Sequence, residues 1–210
     1  LDVTNSRMAG LRKDIVLDNS VTGISSGNEQ PDSAFWIRAL GSTAKQDQRE
    51  SYDGYKTKTY GTALGFDNNV TDDFILGFGL AAVTAQVDQN DFRSGDDSRN
   101  NNYSGMIYGS YNLSNQVYVE GVINYAENNY KGDRATAVGR NARYDFDGNQ
   151  YGGRLGAGYK ISLDNDTTFI PMASIEYSQL KQDAYTETEA GDIGLNVDSQ
   201  SYSRTRYGLG

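Results

Sequence analysis

The chain of 210 residues has no histidine and no cysteine, so any acid–base chemistry falls to carboxylates, lysine, arginine and tyrosine. Ser-His-Asp catalysis, thiolate chemistry, disulfides and the usual zinc ligands are removed together. What remains is metal-independent chemistry at carboxylates, yet Glu120 and Glu176, with Arg154 between them, are expected to be structural residues of a lumen and not catalytic ones. They share one parity on three consecutive alternating segments, an acid–base–acid row in which one guanidinium fork can serve both carboxylates. The alternative is that each is solvated separately in a water-filled lumen, and the sequence leaves both readings open. Asn124, Lys160, Arg38, Arg204 and Arg206 fall on the same parity, with an expected role that is structural or electrostatic.

Two other stretches suggest ligands and fail on context. "GGRLGAG" (152–158) looks like a phosphate loop, but it lies inside an alternating strand and opens no helix. "DFRSGDDSRNN" is acidic, yet it lacks the spacing of a calcium loop and reads as a solvated surface loop. No cofactor and no metal site are expected.

The formal net charge of -9 argues against nucleic acid, because counterion release needs a basic surface. Sixteen tyrosines, 24 glycines and two prolines favour strands, while a mean hydropathy of -0.67 means that only half of each strand is apolar. No apolar run reaches the length of a transmembrane helix, but a transmembrane β-barrel alternates and its signal averages away. The opening "LDVTNSRMAG" has neither methionine nor signal peptide and reads as a processed piece of a longer exported protein.

The elements that carry the charged row follow from periodicity. Met8, Leu11 and Ile15 recur at helical spacing behind Thr4 or Asn5 as N-cap, which predicts a helix over about residues 5–18. A linker rich in turn formers then runs to residue 33. Residues 34–210 form the second unit, with strands expected near 34–45, 55–67, 73–87, 101–112, 117–130, 149–163, 167–183 and 200–210. Tight turns ("DNNVTD", "NLSNQ", "DNDT") alternate with long polar loops ("QDQRESYDG", "DQNDFRSGDDSRNN", "KGDRATAVGRNARYDFDG", "AYTETEAGDIGLNVDS"), the sorting expected of an outer-membrane barrel.

Tyr151, Leu155, Ala157 and Tyr159 occupy one face of a strand whose other face holds Gly152, Arg154, Gly156, Gly158 and Lys160. Tyr151 and Tyr159 stand eight residues apart, as do Phe169 and Tyr177, and Tyr125 shares their face. At about 3.3 Å per residue and a tilt near 40°, eight residues span about 20 Å, close to the separation of two aromatic girdles. These five aromatics are therefore expected to meet lipid and the Arg/Lys/Gly face to line a lumen. Alternation alone also fits a soluble antiparallel sheet; loop sorting, strand length and aromatic spacing favour the barrel. Glycines such as Gly61, Gly65, Gly77 and Gly79 would let the wall approach an occupant, for which the N-terminal helix is the candidate.

The order of elements, from the helix and linker through "FWIRALGS", "GYKTKTYGTALGFD", "YSGMIYGSYNLSNQVYVEGVINYAENNY" and "YGGRLGAGYKISL", resembles the translocator domain of classical autotransporters (type V secretion). "GYKTKTYGTALGFDNNVTDDFILG" is especially similar to barrels of the rickettsial surface-antigen group. The resemblance implies an all-β, antiparallel outer-membrane barrel of 12 strands, of which about eight are present, with the helix in its lumen. It implies export and anchoring of an upstream passenger at the cell surface of a Gram-negative bacterium. Outer-membrane lipid, the passenger, the outer-membrane assembly machinery and periplasmic chaperones are the implied partners. The chain departs from the family by stopping at "RYGLG" without a terminal strand ending in Phe or Trp. Some members cut themselves between paired asparagines of the lumenal helix; here only Asn5 and Asn19 are available, so self-cleavage has no residue match. No enzyme activity is expected. The alternative from the binding class is a free-standing small barrel that acts as an adhesin through its external loops.

Overall fold

A computed structural model describes residues 33–49, 53–136, 139, 141–163 and 167–210; the expected helix over 5–18 and its linker lie outside the described residues. Eight strands carry the fold: β1 (Ser33–Gln46), β2 (Tyr55–Thr71), β3 (Phe74–Gln89), β4 (Asp97–Asn112), β5 (Val117–Ala135), β6 (Asn141–Tyr159), β7 (Met172–Gln182) and β8 (Gln200–Leu209). They form one sheet in chain order, each pair of neighbours antiparallel. Such a meander is what alternating strands joined by local turns produce. β1 and β8 stand at opposite ends of the sheet, and no pairing joins them among the described residues.

The connections alternate between two rims. Asp72–Asp73, residues 113–116 and residues 160–171 connect strands on one rim, and 47–54, 90–96, 136–140 and 183–199 on the other. Several boundaries depart from the sequence expectation. The segment 131–148 is mostly hairpin, because β5 runs on to Ala135 and β6 begins at Asn141. Its outward positions carry paired charges in place of apolar residues, Lys131 with Asp145 at 2.8 Å and Arg143 with Asp133 at 2.9 Å. Cross-strand polar pairs hold a ladder in water without any hydrophobic alternation to reveal it. The expected strand 167–183 is divided at Pro171, which has no N–H to donate. Thr168–Phe169 pairs instead with Ile161–Ser162, and Pro171 accepts a 3.0 Å hydrogen bond from the Tyr159 N–H.

Burial is inverted relative to a water-soluble sheet. Leu155 is 67% exposed and Ile123 62%, while Glu120 is 3% and Asp67 3%. Phe35, Ile37, Phe78, Leu80, Ile107 and Ile175 join Leu155 on the exposed face. Trp36, Ala63, Met106, Tyr108 and Val122 cluster on the inner one. Gly65 and Gly77 make this packing possible, since a Cβ at either would collide with the Trp36 indole or the Tyr108 ring. An apolar exterior over a polar interior is stable only when lipid is the outer solvent.

Depth then sets the cost of a charge on that face. Leu155 lies midway between Tyr151 and Tyr159, so Leu155→Arg should cost about 2–4 kcal/mol in a urea titration of folding into lipid vesicles. Asn149→Arg, on the same face towards the long-loop rim, should cost about 0–1 kcal/mol. Equal costs would contradict the assigned midplane.

Candidate functional site

The inner wall is where the charged residues meet. β5 and β6 place Glu120 opposite Gly156, one step along from Arg154, and Arg154 Nη1 donates to Glu120 Oε1 at 2.8 Å. The pair is secluded, with side-chain exposures of 12% for Arg154 and 1% for Glu120. Gly156 makes the room: a Cβ there would come within 3.2 Å of the Glu120 side chain. Register sets Glu176 opposite both Arg154 and Arg206, yet its Oε1 accepts from Arg204 Nη2 at 3.2 Å. Among the described residues the wall carries two ion pairs, Glu120–Arg154 and Glu176–Arg204.

The other inward candidates are spread out. Arg38 lies opposite Ala63 near the open edge at β1 and is exposed. Lys160 reaches over the Tyr118 ring, 5.7 Å from its centroid, at the short-turn rim. Asn124 stands opposite Gly152, whose added Cβ would approach Asn124 Oδ1 to 2.9 Å, and that oxygen is buried with no hydrogen-bond partner among the described residues.

Sequence reasoning missed the most deeply buried polar chain. Trp36 Nε1 donates to the Tyr108 hydroxyl at 2.6 Å, which donates to Asp67 Oδ2 at 2.8 Å. The single tryptophan on the glycine-rich parity was the available signal, but its partners lie on β4 and β2 and no local spacing links them. Asn100 and Asn102 of β4 both donate to Asn128 Oδ1 of β5, at 3.1 and 2.9 Å, extending the polar lining towards the long-loop rim.

The girdle candidates all sit on the outer face and are 42–56% exposed. Tyr125, Tyr151 and Gln179 share one register row. The hydroxyls of Tyr151 and Tyr177 both donate to Gln179. Tyr159 donates to Gln116 at 3.1 Å at the opposite rim. Phe169 stands beyond the break at Pro171, so its eight-residue spacing to Tyr177 does not follow one continuous strand.

At the long-loop rim, segment 183–199 folds back onto the β5–β6 hairpin. Phe146 stacks between Tyr130 and Tyr185, with centroids at 4.8 and 4.4 Å. Arg134 makes a fork to the buried Glu187, 2.9 Å to Oε1 and 2.6 Å to Oε2, and Arg143 bridges to Thr188. The Arg134 guanidinium holds the Glu187 carboxyl below the usual carboxylate range.

The two kinds of ion pair should behave differently. Arg154→Ala should destabilise by about 3–5 kcal/mol, since it removes the guanidinium from a carboxylate that is only 1% exposed. Arg204 is 60% exposed, so Arg204→Ala should cost at most about 1 kcal/mol. Similar losses in a folding titration would contradict this. At the rim, a depressed Glu187 pKa makes docking of 183–199 strongest above about pH 4.3 and progressively lost as the pH falls through the lower, docked value. Amide exchange in this loop should rise below that pH, and Glu187→Gln should remove the dependence. A loop equally protected at pH 7 and pH 3 would contradict the assignment.

The geometry agrees with what comparison with known proteins finds. The chain is similar to outer membrane protein A of Rickettsia rickettsii, 26% identical over 211 residues, covering 95% of this chain. It is also similar to outer membrane protein B of Rickettsia prowazekii (strain Madrid E), 28% identical over 200 residues, covering 88% of this chain. The chain spans only 9% and 12% of the length of these relatives. Among solved structures, the translocator domain of the autotransporter NalP from Neisseria meningitidis superposes with a TM-score of 0.72 at 15% identity, over 99% of this chain and 69% of that one. A family model for the autotransporter β-domain matches residues 35–210, and the chain belongs to that family.

Proposed function

We propose that this domain inserts into the bacterial outer membrane as a β-barrel, through which an N-terminal passenger is exported and by which it stays anchored at the cell surface. The observation that carries the reading is the inverted wall: an apolar outer face for lipid, and an inner face that buries Glu120 and Glu176 against Arg154 and Arg204. A wet conduit of this kind lets an unfolded chain pass without exposing its backbone to hydrocarbon. The domain works by enclosure and does no covalent chemistry; Glu120 and Glu176 hold the wall together. Strands without an apolar interior cannot collapse in water, which supports periplasmic chaperones and the outer-membrane assembly machinery as partners. The segment before β1 is the proposed lumenal plug after passage.

The test is topology in intact cells expressing the full-length protein. Cysteines at Ser94 and Asp192, both exposed on the long-loop rim, should react with a membrane-impermeant maleimide, and one at Asn115 should react only after lysis. Removal of residues 1–30 should raise single-channel conductance if that segment is the plug. Labelling of Asn115 on sealed cells, with Ser94 silent, would reverse the proposed orientation.

A further inference from the structure

The lipid-facing side of the long-loop rim carries cations arranged in a way the barrel itself does not require. Lys58 of β2, Gln86 of β3, Arg99 of β4 and Lys131 of β5 share one register row. Lys58, Arg99 and Lys131 are exposed. Arg99 and Lys131 stand directly opposite each other, and like charges facing across strands are destabilising. Lys131 pairs with Asp145, whereas Lys58 and Arg99 have no acidic partner among the described residues. Asp88, Asp97 and Asp133 lie one step further from the membrane, in a row that also holds Lys56 and Arg143. On the membrane side come Tyr60, Thr84, Asn101 and Asn129, hydroxyls and amides suited to phosphate and sugar oxygens. Asp147, opposite Asn129, and Glu127, one row nearer the lipid again, are acidic exceptions.

Below this row the apolar face is grooved. Gly105 of β4 leaves a depression of about 440 Å³ between Phe78, Leu80, Ile107, Ile123 and Tyr125. A Cβ at Gly105 would meet only Leu80 Cδ2, at 3.7 Å, so the floor is open and is not filled by the protein's own packing. Arg99 and Gly105 are six residues apart on one strand. With a tilt near 40° this is about 15 Å along the membrane normal, half the hydrocarbon thickness. A headgroup at the cation row would therefore lay its acyl chain into the groove.

We propose that Lys58, Arg99 and Lys131, with the groove over Gly105, bind a lipid of the outer leaflet that carries a phosphorylated headgroup. The proposal rests on the membrane orientation given above. Phosphate oxygens would accept from the two unpaired cations and separate the Arg99–Lys131 pair, while the acyl chain covers Gly105. Interfacial cations in general snorkel to water; here Lys58 and Arg99, without acidic partners among the described residues, share a row with Lys131 over one groove.

The full-length protein, reconstituted in phosphatidylcholine vesicles, would be titrated with spin-labelled phosphatidic acid and, separately, spin-labelled phosphatidylcholine. The motionally restricted fraction should favour phosphatidic acid about fivefold or more. Lys58→Gln with Arg99→Gln, which leaves Lys131–Asp145 intact, should bring the ratio close to one. Gly105→Leu should shrink the restricted fraction of both lipids. Selectivity that survives the double variant would overturn the proposal, as would its absence from wild type that is inserted and protease-protected. Displacement by inorganic phosphate alone would make this an ion site and overturn the lipid. Failure of the wild type to insert would overturn the membrane reading itself and the lipid site with it.

Discussion

Everything in this wall depends on pairing backbone N–H and C=O groups where no water can reach them. In hydrocarbon an unpaired group costs several kcal/mol, so each strand must have a neighbour along its length, and an antiparallel meander achieves this by local steps. The ladder from β1 to β8 is nearly continuous. Its register shifts once within β2, between Asn69 and Thr71 at the short-turn rim. Pro171, the residue that cannot donate, stands between the short Ile161–Ser162/Thr168–Phe169 ladder and the start of β7.

Once the backbone is paired, the side chains are constrained by parity. Outward positions have lipid as solvent and take Leu, Ile, Phe and Tyr; inward positions take what is left, including most of the wall's buried charge. Interior charges then need partners, because desolvation outweighs what an isolated carboxylate gains. Arg154 at Glu120 and Tyr108 at Asp67 meet that need with geometry that glycines on the neighbouring strands permit. The same requirement explains the rim, where Arg134 binds Glu187 and an aromatic stack ties segment 183–199 to the hairpin.

Much of this was legible in the chain because a period of two survives translation into structure directly. β2, β3 and β6 could be assigned to faces residue by residue, and the placing of Leu155 and Arg154 on opposite faces follows from parity alone. What was not legible has specific causes. The upper β5–β6 hairpin has charge pairs outside and an aromatic stack inside, so it lacks the apolar alternation that marks a strand. The Trp36–Tyr108–Asp67 chain joins residues 72 and 41 positions apart, which no local spacing encodes. The partner of Glu176 depends on which of two arginines on β8 reaches it, and Arg204 does although Arg206 is its register partner.

The central claim is that the two faces of the wall see different solvents. Its most direct test is a single-cysteine scan of β6 from Tyr151 to Tyr159 in the folded, membrane-inserted protein, each site carrying a nitroxide. Collisions with oxygen should dominate at Tyr151, Gly153, Leu155, Ala157 and Tyr159, and collisions with a water-soluble nickel chelate at the residues between, with a strict period of two. A profile without alternation, or one with nickel favoured at Leu155, would contradict the account.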